Sequence, residues 1–402
     1  MADLQYYPRG FGLRSQIEGR LQGDYHSQIV DHLKAHGFSI SAGDLTFRLA
    51  AEFGFCYGVD RAVEYAYETR TRFPDREIFI TGEIIHNPHV NSRLREMGIR
   101  FLSGEGAVAV GWDRLGSQDV VILPAFGVTV GQLALLRERG CTLVDTTCGS
   151  VLNVWKNVER YARDGFTSVI HGKIHHEETR ATASRTGLHP GGRYLVVRDL
   201  EETERVCDHI RRGGDGGAFR ARFGQAASEH FDPDRDLEKV GVANQTTMLS
   251  SESLEVAERI RRAMAERYGE AALAEHFRSF DTICSATQDR QDAVLKLLKG
   301  GVSLMLVIGG YNSSNTNHLA EIAAGKVPTY HIEDAACLLG SGSIRHKPIG
   351  GKSTEIARGW LPEGPLVIGI TAGASTPNNR IGEVVERILE IRGLDVAPIL
   401  GL

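Results

Sequence analysis

Three cysteines share a setting that suits metal chemistry. Cys56 ends Phe53-Gly54-Phe55-Cys56, Cys148 ends Asp145-Thr146-Thr147-Cys148 and Cys284 ends Asp281-Thr282-Ile283-Cys284. Each follows a short apolar run and precedes a helix-forming stretch. That places it at the carboxyl end of a strand, where α/β folds collect their ligand groups. A cysteine taken singly reads as a small buried hydrophobe, but three in matching loops read as ligands. Cys141, Cys207 and Cys337 lack this setting, the first starting a strand and the others lying in helical-looking segments. No CxxC pair occurs, so the commonest zinc and thioredoxin-like motifs are absent. Thiolates favour zinc or iron–sulfur, and a cluster on three thiolates leaves one iron open to substrate.

Three polar loops suit an anion. Tyr311-Asn312-Ser313-Ser314-Asn315-Thr316-Asn317 follows an apolar run and leads into a helix, where backbone N–H groups and the dipole point the same way. The stretch from Thr371 to Pro377, with Ser375, repeats the arrangement, and so does Gln245-Thr246-Thr247. An ordinary N-cap accounts for any one loop; three together point to a diphosphate. Neither GxxxxGKS/T nor a GxGxxG after a strand accompanies them, so the nucleotide-binding devices are missing. The richest acid–base stretch runs from His171 through His175, His176, Glu177 and Glu178 to Thr179. His176 and Glu178, one residue apart, can face the same space, the His holding a phosphate oxygen and the Glu relaying protons. A helix first turn explains the glutamates but not three histidines within six positions. His86 follows another strand in EIIHNP.

The elements that must position these groups alternate strand, loop and helix. Candidate strands are 76–80, 119–123, 141–145, 167–171, 239–243, 303–309 and 365–371, several followed by amphipathic helices such as SESLEVAERIRRAMAERY. That alternation predicts parallel sheets covered by helices. The class is α/β, with three small lobes each offering one cysteine. The boundaries read 1–45 for a helical N-terminal extension, 46–147, 148–280 and 281–402 for the lobes. The Gly- and charge-rich stretch near 205–239 reads as a surface insertion or partly flexible loop. The net charge of -5 argues against general nucleic-acid binding. No apolar run reaches the roughly 20 residues of a membrane span, and the first residues lack the apolar core of a secretory signal, so a cytoplasmic protein is expected.

With these pieces assembled, the chain resembles the 4-hydroxy-3-methylbut-2-enyl diphosphate reductases, the LytB or IspH family, in its longer plant and cyanobacterial form. The stretches that carry the likeness are GFCYGVDRA, GEIIHNPHV, DTTCGS, HHEETRAT, NQTTMLS, ICSATQDRQDAV, GGYNSSNTNHLAEI and TAGASTP, spread over about residues 45–390. The resemblance implies three lobes around a central 4Fe–4S cluster on Cys56, Cys148 and Cys284, with one iron open to substrate. It implies an allylic diphosphate held by His86, His176, Ser313, Ser314, Asn315 and Ser375. Glu178 would supply protons and Thr246 would order the substrate hydroxyl. The pairing of His176 with Glu178 sets Thr182 at the family's spacing; His175 with Glu177 is the alternative register. Phe126 stands where shorter members place a third histidine. Electrons would come from a ferredoxin or flavodoxin. A zinc-dependent hydrolase and a non-enzymatic iron–sulfur sensor or RNA-binding module are the rival classes, separable by iron and sulfide analysis.

Overall fold

Strands with continuous apolar runs are buried on both faces, and in the computed structural model they form parallel sheets, as such runs should. The structure describes residues 5–104, 107, 111–280 and 282–397; Asp281 of the cysteine repeat lies outside them. The chain divides into two compact units: residues 1–10, 73–84 and 98–284, and residues 11–72, 85–97 and 285–402.

Unit 1 holds two sheets, all their pairings parallel. One contains β1 (Tyr6–Tyr7), β4 (Ile78–Ile80), β5 (Ile99–Phe101), β6 (Val120–Leu123) and β7 (Thr142–Asp145), in the order β1-β7-β6-β4-β5. The other contains β8 (Thr167–His171), β9 (Tyr194–Val197), β10 (Val240–Asn244) and β11 (Phe277–Ser279), in the order β11-β10-β8-β9. The stretch near 205–239 is helical rather than a loop. It forms the helices Leu200–Arg212, Gly216–Phe223 and Pro233–Asp236. Phe219, Phe223, Phe231 and Leu237 bury themselves with Val206, Cys207 and Ile210 against this second sheet. Phe219 and Phe223 are four residues apart and so share one helix face; the surrounding glycines and charges mask that apolar stripe.

Unit 2 holds a five-stranded sheet of β2 (Ser39–Ala42), β3 (Leu45–Leu49), β12 (Leu304–Ile308), β13 (Thr329–Ile332) and β17 (Leu366–Ala372), in the order β13-β12-β17-β3-β2. Along β12, Leu304, Leu306 and Ile308 face one core, which also takes Val384, Val385 and Ile388 of the helix Asn378–Ile391. Met305 and Val307 face the other, with Leu319 and Ala323 of the helix Ser314–Ala324. This is the period-two alternation of a strand covered on both sides. A small antiparallel sheet of β14 (Leu338–Gly340), β15 (Ser343–His346) and β16 (Glu355–Arg358) completes the unit. Sheet membership crosses the linear boundaries drawn from the sequence. β2 and β3, joined by the two-residue Gly43-Asp44 turn, belong with β12, β13 and β17 because parallel pairing places no limit on sequence separation. The N-terminal segment contributes the expected helices, Arg14–Tyr25 and Gln28–Ala35, and also the edge strand β1. Among the described residues no helix is long and apolar enough to cross a membrane.

Candidate active site

The predicted site residues fall into two groups, one in each unit. In unit 1, β7 runs into a turn fixed by its own side chains. Asp145 Oδ1 accepts from the Thr147 backbone N–H at 2.9 Å and from Thr147 Oγ1 at 2.5 Å. Thr146 N and Oγ1 both donate to the Leu123 carbonyl, at 3.1 and 2.6 Å. Cys148 then donates its N–H to Ala125 O at 3.0 Å and caps the helix Gly149–Arg163. Cys284, which immediately precedes the helix Ser285–Lys299, is close by: the Ser150 hydroxyl donates to its Sγ at 3.5 Å. Burial pushes the Cys148 thiol up, and the neighbouring Cys284 adds to the shift. Both cysteines keep partial exposure, whereas Cys141, Cys207 and Cys337 are buried. Burial raises Cys141 to about 11 and Cys207 to about 12, as expected of inert core thiols.

The acid–base stretch follows β8. His176 caps the helix Glu177–Ser184, its Nδ1 accepting the Glu178 N–H at 3.2 Å. In the neutral ring that leaves the proton on Nε2. Glu178 is 1% exposed. Its Oε1 accepts the Thr246 backbone N–H at 2.5 Å and its Oε2 the Thr246 hydroxyl at 2.9 Å. His175 and Glu177 are exposed, although a Glu177 carboxylate oxygen lies within 4.8 Å of a His176 ring nitrogen. The helix face thus puts His176 and Glu178 inward. Phe126 meets the His176 ring edge-on at 5.3 Å between centroids. Gln245, given no separate role in the sequence reading, ties the two loops together. Its Oε1 accepts from Lys173 N (3.1 Å) and Thr179 Oγ1 (3.0 Å), and its Nε2 donates to Thr247 Oγ1 (2.7 Å).

In unit 2, Cys56 precedes the helix Tyr57–Arg72 and donates its N–H to Ala374 O at 3.2 Å. The other side of the same residue serves the polar loop, because Ala374 N donates to Asn315 Oδ1 at 2.9 Å. With its oxygen occupied, Asn315 turns Nδ2 inward, where it is buried with no partner among the described residues. Ser313 caps the helix Ser314–Ala324 and accepts Thr316 N at 3.3 Å. Ser375 Oγ donates to the His86 carbonyl at 3.2 Å. Ser313, Ser314, Asn315 and Ser375 are buried; His86 is half-buried. Two glycines permit this approach. Gly54, two residues before Cys56, has φ +67°, and a Cβ there would sit 3.1 Å from Thr376 O and Asn378 Oδ1. A Cβ on Gly373 would lie 1.9 Å from Thr316 Oγ1.

The profile of the LytB protein family matches residues 47–389. The chain belongs to the LytB family. All eleven predicted site residues lie within that LytB stretch, and residues 1–46 lie outside it. The chain is 50% identical over 398 residues to a protein of Gloeobacter violaceus named 4-hydroxy-3-methylbut-2-enyl diphosphate reductase, covering 98% of this chain and 94% of that one. A Thermosynechococcus vestitus protein of the same name is 51% identical, with 97% and 95% covered. A solved structure of (E)-4-hydroxy-3-methyl-but-2-enyl diphosphate reductase, described as the terminal enzyme of the non-mevalonate pathway, superposes with a TM-score of 0.52 at 29% identity, over 86% of this chain and 99% of that one. The reductase from Plasmodium falciparum shares the fold, with a TM-score of 0.63 at 18% identity, covering 85% and 87%.

Two further residues support these loops without having been singled out from the sequence. Arg290, 4% exposed, donates Nη2 and Nε to the Gly54 carbonyl at 2.7 and 3.2 Å and so holds the turn before Cys56. It lies inside the quoted stretch ICSATQDRQDAV, but nothing local marks its role. Lys347 donates to Tyr311 O at 2.8 Å and Asn317 Oδ1 at 3.0 Å, bracing the Ser313–Asn315 loop. No motif surrounds it.

Proposed function

We propose that this protein reduces (E)-4-hydroxy-3-methylbut-2-enyl diphosphate to isopentenyl and dimethylallyl diphosphates, with two electrons and two protons entering and water leaving. The observation that carries the reading is Glu178, a buried carboxylate gripped by both the N–H and the hydroxyl of Thr246 in the unit that also pairs Cys148 with Cys284. The names of the LytB relatives supply the substrate.

The donor set fits a 4Fe–4S cluster held by Cys56, Cys148 and Cys284. Each is a partly exposed cysteine directly before a helix, and the Cys148 thiol is raised by burial and by the neighbouring Cys284, a cost that a cation removes by taking both as thiolates. Such a cluster would supply one-electron transfers and, at an iron without a protein ligand, a Lewis acid for the allylic oxygen. Glu178 supplies protons at its carboxyl, and the Thr246 hydroxyl orients the substrate oxygen and relays them. His176 donates from Nε2 to a phosphate oxygen, and His86 takes a second contact. Ser313, Ser314, Ser375 and the unsatisfied Asn315 Nδ2 cradle the diphosphate, so its binding energy holds the reacting carbon in register. A small external carrier of the ferredoxin or flavodoxin class delivers the electrons. None of the six cysteines is in a disulfide, as suits a cytoplasmic setting.

The test is anaerobic purification with iron and sulfide quantitation, followed by reduction of the allylic diphosphate with products resolved chromatographically. Close to four irons per chain and formation of both five-carbon diphosphates are expected. Zinc in place of iron, or phosphate release without reduction, would overturn the reading.

A further inference from the structure

The N-terminal segment falls outside the stretch that defines the family, yet its side chains reach the residues next to two of the cysteines. In unit 1, β1 is only two residues long, pairing Tyr6 with Leu143 and Tyr7 with Val144. So short a strand adds little sheet stability by itself. Its side chain does something more specific. The Tyr6 hydroxyl donates to Asp145 Oδ2, while Asp145 Oδ1 holds Thr147 N and Oγ1. Both carboxylate oxygens are thus engaged, and the turn that delivers Cys148 is clamped from the side of the extension. In unit 2, the Tyr25 ring sits 5.6 Å from Phe55, the residue before Cys56. Tyr25 is itself held by Tyr67, with ring centroids 6.0 Å apart and hydroxyls 3.1 Å apart.

We propose that the N-terminal segment is a positioning device for the cysteine loops, Tyr6 setting Cys148 through Asp145 and Tyr25 setting Cys56 through Phe55. This rests on the reading of Cys148 and Cys56 as cluster ligands. The assignment is local: each aromatic residue fixes the loop next to one thiol and leaves Cys284 untouched.

The experiment compares full-length wild type with Tyr6→Phe, which removes one hydroxyl, and with Asp145→Asn, which asks the same question should the first variant misfold. In iron-free protein under native conditions, the rate of iodoacetamide labelling is read cysteine by cysteine by peptide mass spectrometry. For Tyr6→Phe, labelling of Cys148 should quicken about ten-fold, the scale of one lost hydrogen bond to a charged acceptor, with Cys284 and Cys141 unchanged. Tyr25→Leu should do the same at Cys56 alone. In iron-loaded protein, release of iron to a chelator should quicken in both variants. Wild-type labelling at Cys148 in Tyr6→Phe and Asp145→Asn overturns the proposal, and so does a uniform rise at every cysteine, the mark of general loosening. Selective labelling in a protein whose wild type never retains iron would leave the positioning role standing and refute the ligand reading instead.

Discussion

Replacing Glu178 by glutamine isolates proton delivery from everything else the site does. The carboxylate accepts two hydrogen bonds from Thr246, one from an N–H that can only donate and one from a hydroxyl that can do either. In Glu178→Gln the amide oxygen takes the N–H, the amide nitrogen faces Oγ1, and the Thr246 hydroxyl turns to accept. Both contacts survive, one with reversed polarity, and only the charge assistance is lost, about 1 kcal/mol of stability. The loss of an acidic proton is larger. A missing general acid lowers the rate by roughly 10²–10⁴-fold, which is about 3–5 kcal/mol of barrier. The rate effect therefore exceeds the structural one. Glu177→Gln is the internal control: Glu177 is exposed, and although its carboxylate lies within 4.8 Å of a His176 ring nitrogen, losing its charge should cost the rate far less than losing the acidic proton of Glu178. The assay is anaerobic single turnover with a chemical reductant, alongside iron content and thermal unfolding for each variant. A Glu178→Gln protein that holds its iron and turns over within three-fold of wild type (a margin of about 0.7 kcal/mol) would refute Glu178 as the proton source. A dead Glu177→Gln beside an active Glu178→Gln would move the acid to the alternative register.

Three further outcomes follow from the same geometry. Serine at Cys56, Cys148 or Cys284 should each abolish most iron binding in anaerobically purified protein, whereas serine at Cys141, Cys207 or Cys337 should leave the iron count unchanged; iron loss in the second group with retention in the first would sink the ligand assignment. Asn315→Ala removes the buried donor left open for an anion, so the KM for the diphosphate should rise by roughly one to two orders of magnitude with kcat and iron content preserved, on the scale of a hydrogen bond to a charged group. His331 is buried against Gly309 O, and burial lowers it to about 4 from 6.5. Below pH 6.5 the unfolded chain binds a proton that the folded chain refuses, so stability falls as pH drops from 6.5 to 4, by about 3 kcal/mol in all. His331→Gln keeps a donor and should flatten that part of the urea-denaturation profile; an unchanged slope would assign the acid sensitivity elsewhere.

The sequence declared most strongly what is local. The seven predicted strands are all present with shifts of a residue or two at their ends, because continuous Val/Ile/Leu runs carry their own signature. β1, β2, β3, β5, β9, β11, β13 and the three strands of the small sheet were not anticipated; most are short or lie at a sheet edge, and their apolar content is diluted. The β2–β3 hairpin did leave a trace in its Gly-Asp turn between alternating segments. At the site, the sequence left two His–Glu registers open, and it is burial in the folded chain that separates Glu178 from Glu177; the polar loops announce themselves by composition. Arg290 could not be read in that way, since its partner is the carbonyl of Gly54, 236 residues away. Asn315 could be named from its loop, but not the orientation of its amide, which depends on Ala374 N.

The order of strands in unit 2 also sets a schedule for synthesis. β17, bracketed by β12 and β3, leaves the ribosome long after β3, with most of the other elements made between them. The β2–β3 hairpin emerges with its neighbour still untranslated, whereas the sheets of unit 1 have all their strands by residue 279. Long-range parallel pairing is slow to close even in a complete chain, and units that are complete earlier fold earlier. Cys56, whose N–H is bonded to Ala374 O, accordingly waits until β17 has been made for that partner, and any metal that requires it is loaded only after that point. A chain truncated after Ser303 should show this directly, with protease cutting freely between residues 39 and 72 and sparing 120–279. Equal protection of both stretches would mean that the hairpin finds a stable partner before β17 exists.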